Sequence, residues 1–195
     1  MGTREQSKCA AWEQVRRSRV TASRFREVCH VRGETSGKAL ATRIIRGTKQ
    51  THAMRRGLEL EESIIKKYTE STNVIVLPCV FDETETDLFG LVEVKSTSAE
   101  NVASVPYIKI TNGQAKRKES HKYYWQVQGQ LAVTSLHWCD FVTDTAEDLT
   151  IQRIWQDDEF IASMKDRLDL YYRNVYIDVP YVNINNYHFL KSIHI

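Results

Sequence analysis

Three prolines and eight glycines in 195 residues leave little to interrupt the chain, and no proline- or glycine-rich linker, low-complexity tract or internal repeat divides it. A single domain is the expectation. Long apolar runs are missing too: none approaches the ~20 residues that a helix needs to cross a bilayer, so a membrane-spanning helix is not expected. The opening Met-Gly-Thr-Arg-Glu-Gln-Ser-Lys is charged with no apolar stretch behind it, which points away from a secretory signal and towards an intracellular protein, cytoplasmic or nuclear. The four cysteines, Cys9, Cys29, Cys79 and Cys139, have none of the paired spacing of a zinc site or a small disulfide framework and read as buried or idle thiols. Charge of one sign is scarce as well. With Lys+Arg 27 against Asp+Glu 25 the net charge is +2, so any phosphate-binding surface has to be local. What remains, 42% hydrophobic and 27% charged residues, is an ordinary globular composition.

Helical patterns run from about Ala10 to Tyr68, followed by short β-rich runs, a helix from Tyr123 to Thr134, further β runs and a closing helix marked by Phe160, Ile161, Met164, Leu168 and Tyr171. This order predicts an α/β (α+β) fold. A helix is expected from Arg24 to Cys29 with Thr21 or Ser23 as its N-cap, and a longer one from Thr51 to Glu70 with Met54, Leu58, Ile65 and Tyr68 on its inward face. Val74–Leu77 and Leu88–Lys95 read as strands joined through the polar stretch Glu83–Asp87. Val105–Ile110 and Gln114–Lys118 form a second pair about Asn112-Gly113. Trp138–Thr143 and Leu149–Trp155 complete the strands.

Three groups carry candidate chemistry. Glu61 falls within the inward stripe of the long helix, so it is paired, protonated, metal-bound, or wet where the stripe reaches the edge of the core. In Glu93-Val94-Lys95 the period of two projects a carboxylate and an amine from one face of a strand, the pair that phosphodiester hydrolysis uses to hold a hard divalent cation and offset transition-state charge. On the helix from Tyr123, Gln126 and Gln130 share a face, which puts at least one amide at the edge of the core. The run Lys116-Arg117-Lys118, with Lys109 on the preceding strand, is a candidate for tracking DNA phosphates.

Taken in order, these blocks resemble the YqaJ viral recombinase family, relatives of phage lambda exonuclease among the PD-(D/E)xK nucleases. The resemblance lies in Trp12 with Arg16 and Val20-Thr21-Ala22-Ser23, in Gly57…Glu61…Tyr68, in Leu91-Val-Glu93-Val-Lys95, in Tyr123-Tyr-Trp-Gln126-Val-Gln128-Gly-Gln130, and in Trp138-Cys-Asp-Phe-Val. It implies a central mixed β-sheet flanked by helices with a restriction-endonuclease-like core, a nuclease domain over residues 1–175, and an extension of unassigned role over 176–195. It also implies a metal-dependent exodeoxyribonuclease for linear duplex DNA, working in recombination or viral and mobile-element DNA processing, and possible homo-oligomers. Glu93, the carbonyl of Val94 and Glu61 would hold Mg²⁺ or Mn²⁺, Lys95 would serve the nucleophilic water, and Gln126 would order the site. Arg16 and Ser23 would grip a 5′-phosphorylated end, a cation and a hydroxyl beside a helix start being an anion site in their own right.

One block of the family is missing. A Ser-Pro-Asp-Gly segment, whose Asp is a principal metal ligand, precedes Glu-x-Lys in the family, and nothing matches it here. A hairpin turning about Glu85 sets Leu77 opposite Glu93. Asp82 would then lie roughly 16 Å away along the strand at ~3.3 Å per residue, beyond side-chain reach, and Asp87 is worse placed. The alternative expectation is therefore a DNA-end-binding module that has lost its catalytic Asp.

Overall fold

Alternation along one short strand organises the molecule. In β1 (Leu91–Ser96), Leu91 packs with Cys139 and Phe141 on one side of the sheet, while Val92 and Val94 pack with Val142 on the other. The computed structural model describes residues 19–47, 49–77, 89–112 and 114–178. A 3₁₀ turn at Ala22–Arg24 leads into α1 (Phe25–His30), α2 (Glu34–Arg46) and α3 (His52–Thr72). β1 follows, then the hairpin β2 (Ile108–Thr111) and β3 (Gln114–Arg117), α4 (Lys122–Thr134), β4 (Trp138–Asp144), β5 (Leu149–Trp155), α5 (Asp158–Tyr171) and a π-helical turn at Tyr172–Tyr176.

The main sheet has the order β1-β4-β5, with β1 parallel to β4 and β4 antiparallel to β5. The expected mixed sheet with helices on both faces is what forms. A parallel neighbour cannot be reached by a tight turn, and here the hairpin and α4 make the crossover. Central β4 is buried almost throughout, as a strand covered on both faces should be. α3 covers the Val92/Val94 face with Ile64 and Tyr68; α4 covers the Leu91 face with Tyr124, Val127 and Leu131. A separate core of α1, α2, α5 and the π-helical turn closes the helical side, with Phe25, Leu40, Met164 and Tyr176 inside it. Among the described residues no helix is long and apolar enough to cross a membrane.

Several expectations need correction. Val74–Leu77 is not a strand: α3 ends at Asn73 in a left-handed cap (φ 57°), and Ile75 (80% exposed) and Leu77 (69%) face solvent. β-branched residues favour a strand where a ladder receives them, and here Val76 packs against the Ile64–Tyr68 cluster without joining one. Residues 78–88, with the expected turn at Glu83–Asp87 and the acids Asp82 and Asp87, lie outside the described residues, and β1 begins at Leu91.

The buried face of α3 is Leu60, Ile64 and Tyr68, whereas Met54 and Leu58 are about half exposed. Both stripes have helical spacing. Tyr68 lies on both, its buried hydroxyl donating to Asp140 at 2.7 Å, and Ile64, fully buried against Val142, marks the observed one. Neither Thr21 nor Ser23 caps α1 with a side chain; their hydroxyls meet each other at 3.1 Å. Thr51 does cap α3, accepting from the Met54 N–H. The Asn112-Gly113 signal gives a two-residue hairpin with Thr111 opposite Gln114 and Asn112 at φ 52°.

Gly129 permits a close approach that matters below: a Cβ there would stand 2.4 Å from the Phe25 ring, which is 2% exposed. Gly129→Ala is therefore expected to lower stability by about 2 kcal/mol through overpacking, although alanine in an open helix position would add about 1 kcal/mol. Urea denaturation checks the sign. Burial pushes the Cys29 thiol up to about 12 and the Cys139 thiol well above its ordinary range. Iodoacetamide at pH 8 is expected to leave both unmodified in the native protein and to label both in urea, as read by peptide mass mapping.

Candidate functional site

Glu93 lies on the α4 face of β1, and a carboxylate so placed has to be met by donors. Three meet it. Lys95, two residues along the same strand, brings Nζ to 2.5 Å from Glu93 Oε1. Gln126 donates Nε2 to the same oxygen at 2.7 Å, and Gln130 donates Nε2 to Oε2 at 2.7 Å. The pair is only partly solvated, with 23% of the Lys95 and 15% of the Glu93 side chain exposed.

Secondary structure alone produces this cluster. Period two in β1 aligns Glu93 with Lys95, and a separation of four in α4 stacks Gln126 over Gln130. Gln128, between them in sequence, points elsewhere: it is fully buried, donates to the Trp155 carbonyl at 2.8 Å and accepts from the Asp157 N–H at 3.0 Å. Tyr123, one turn before Gln126, lays its ring 4.8 Å from Lys95 Nζ, a cation–π contact that the sequence reading passed over. Lys95 and Tyr123 lie far apart in the chain, so no local pattern signalled it.

Other predicted residues stand apart from this cluster. Glu61 is on α3, the helix that covers the opposite face of the sheet, and it is exposed with no hydrogen bond to a described residue. The side chain of Val94 turns to that same face. Ser23 is exposed in the 3₁₀ turn that Gly129 admits against α4. Arg16 lies outside the described residues. Lys116, Arg117 and Lys118 do not form one basic surface: Lys116 and Lys118 are exposed on β3 and just beyond it, but Arg117 is buried at 7% exposure over the Tyr124 ring. Period two along the strand separates them.

Of the two buried acids of β4, Asp140 and Asp144, the deeper is held on the face opposite Glu93. Asp140 accepts two hydrogen bonds from Arg153, at 2.8 and 2.9 Å, and one from Tyr68, so its oxygens are engaged on the α3 face.

Among the described residues no group of three His, Cys, Asp or Glu side chains converges as a metal site. Two hard oxygens at the cluster are nonetheless under-used. Glu93 Oε2 accepts one bond where Oε1 accepts two, and Gln130 Oε1 is buried with no hydrogen-bond partner. Such a donor set fits Mg²⁺ or Mn²⁺ in one form only, with water and substrate phosphate oxygens completing the shell, since these ions are often bound through a single carboxylate and substrate oxygens.

Glu93→Ala would leave a half-buried ammonium and two amides without their acceptor. It is expected to destabilise the protein by about 3 kcal/mol, more than Lys95→Ala, which leaves the carboxylate two donors. Urea titration of both variants checks this, and equal stabilities would contradict it.

The family model of the YqaJ-like viral recombinase domain matches residues 11–137. Solved structures similar to this chain include an alkaline exonuclease (LHK-Exo) from Laribacter hongkongensis, 23% identical, with 92% of this chain and 98% of that chain covered and a TM-score of 0.67. LHK-Exo in complex with dAMP gives the same identity and coverage with a TM-score of 0.68. A phage related exonuclease from Haemophilus somnus 129PT is 12% identical over 80% of this chain and 92% of that one, with a TM-score of 0.54. At these identities the likeness is one of fold. No curated protein matches the chain.

Proposed function

The chain belongs to the YqaJ-like viral recombinase family, and from that premise we propose that it is a deoxyribonuclease that hydrolyses phosphodiester bonds of linear DNA, working inward from an end in recombination or in viral and mobile-element DNA processing. The convergence of Glu93, Lys95, Gln126 and Gln130 on one point supports this reading most directly. The fold shared with exonucleases, one of them solved with dAMP, supports DNA as the substrate.

Phosphodiester hydrolysis needs negative charge offset at a phosphate and a water held for attack. Lys95 supplies the charge: its ammonium is fixed between the Glu93 carboxylate and the Tyr123 ring, so little reorganisation is needed when a phosphate arrives. The carboxylate of Glu93 orients that ammonium, and the two glutamine amides hold the carboxylate in turn. A divalent ion, Mg²⁺ or Mn²⁺, would be held by Glu93 together with the Val94 carbonyl and would supply Lewis-acid stabilisation of the phosphate charge. Ser23 and Arg16 are proposed to hold the 5′-phosphate.

A second reading is favoured by one observation: Glu93 is the only carboxylate of the cluster among the described residues. On that reading the fold binds DNA ends without cutting them. Incubation with 5′-phosphorylated linear duplex and Mg²⁺ or Mn²⁺ separates the two. Nucleotide release is expected, lowered about 10²-fold or more in Lys95→Ala as when a charge-stabilising donor is removed. Salt-dependent binding without release would select the end-binding module.

A further inference from the structure

The corner where β3 runs into α4 carries cations that the Glu93 cluster does not use. Arg26 of α1 donates Nε to the Ser120 carbonyl at 3.0 Å, which ties α1 to the loop before α4. His121 is the N-cap of α4; its Nδ1 accepts from the Tyr123 N–H at 3.4 Å, so the neutral ring carries its proton on Nε2. Lys118 and Lys122 flank it in sequence. Arg26, Lys118 and Lys122 are all exposed, Lys118 with its Nζ on the Pro106 carbonyl at 2.7 Å. Burial first, and then Lys122, Arg26, Arg117 and Lys118, hold the His121 imidazole below its ordinary value.

Beneath the first turn of the helix, Arg117 is 7% exposed, with its Cζ 4.7 Å from the centre of the Tyr124 ring. Its Nε and Nη1 have no hydrogen-bond partner among the described residues. Glu119 acts on Arg117 and Tyr124 but does not balance the three exposed cations. A buried guanidinium with orphaned donors is costly, and it adds to the positive field of the α4 dipole at the helix N-terminus.

We propose that this corner, formed by the N-terminus of α4 with Arg26, His121 and Lys122, binds a phosphate of the DNA backbone. The proposal rests on the DNA reading above for the identity of its ligand. It adds a contact point outside the Glu93 cluster and replaces the Lys116-Arg117-Lys118 run as the backbone-tracking element. Its position gives it a purpose: the Tyr123 ring lies 4.7 Å from the His121 ring, 5.3 Å from Lys122 Nζ and 4.8 Å from Lys95 Nζ, so a single aromatic ring separates the corner from the reacting centre. A strand held there presents a nearby phosphodiester to Lys95. One feature of general anion chemistry makes the fit: exposed side-chain cations from two elements, Arg26 of α1 and Lys122 of α4, both act on His121 at the positive end of the α4 dipole.

The test is a salt series of anisotropy titrations with a 3′-labelled, 5′-phosphorylated linear duplex in EDTA, where nothing is cut. Arg26→Ala/Lys122→Ala is expected to bind about tenfold more weakly and to flatten the slope of log K against log salt by about 0.9, the loss of one phosphate contact. Lys66→Ala/Arg173→Ala, which removes the same charge from α3 and from the π-helical turn, is expected to leave the slope unchanged. Equal losses in the two variants, an unchanged slope in the first, or no binding by the unaltered protein would each overturn the proposal. Because the readout is binding, a protein that cuts nothing can still pass. One that cuts DNA while the first variant keeps its slope refutes the corner alone.

Discussion

A carboxylate withdrawn from bulk water needs donors, and Glu93 finds them on two elements at once. Lys95 comes from the same strand; Gln126 and Gln130 come from a helix more than thirty residues further along the chain. The cluster thereby fixes how α4 lies on β1, both its rotation about its own axis and its position along the strand. Any rotation large enough to release the glutamines would also lift Val127 and Leu131, both fully buried, off the sheet. Chemistry and packing are secured by the same contact, so the site needs no separate scaffold.

The two faces of the sheet divide the labour. On the α3 face, Asp140 accepts three hydrogen bonds, two from Arg153 and one from Tyr68, in an arrangement that serves stability. On the α4 face, Glu93 also accepts three, and Gln130 Oε1 beside it has no partner among the described residues. That unpartnered acceptor is what sets the Glu93 cluster apart from Asp140. Gly129 lets the Thr21–Phe25 turn settle on α4, which brings Ser23 to the helix that carries the glutamines.

Much of this was legible in the sequence where a short-range period fixes geometry. Period two put Glu93 and Lys95 on one face, a spacing of four paired Gln126 with Gln130, and Asn112 announced its hairpin. What was misread depends on partners distant in the chain. Two stripes of α3 share Tyr68 and have helical spacing, and only the packing of Ile64 against Val142 of β4 decides between them; the choice moved Met54 and Leu58 into solvent and left Glu61 on an exposed surface of the opposite layer. Val74–Leu77 had strand-forming residues without a ladder to join. Arg117 looked like surface charge because its neighbours are lysines, but the pleat turned it inward beneath Tyr124. The β3–α4 corner could not be seen at all, since Arg26 lies far back in the chain and only the packing of α1 brings it to Ser120.

The claim on which the rest stands is that the amides of Gln126 and Gln130 both donate to the Glu93 carboxylate. Nitrogen-15 correlation spectra of their side-chain NH₂ groups measure it directly. The account predicts two pairs of signals displaced from the positions of free glutamine and protected from exchange with water, which return to those positions in a folded Glu93→Ala protein. Signals of freely exchanging glutamine in the unaltered protein would contradict it.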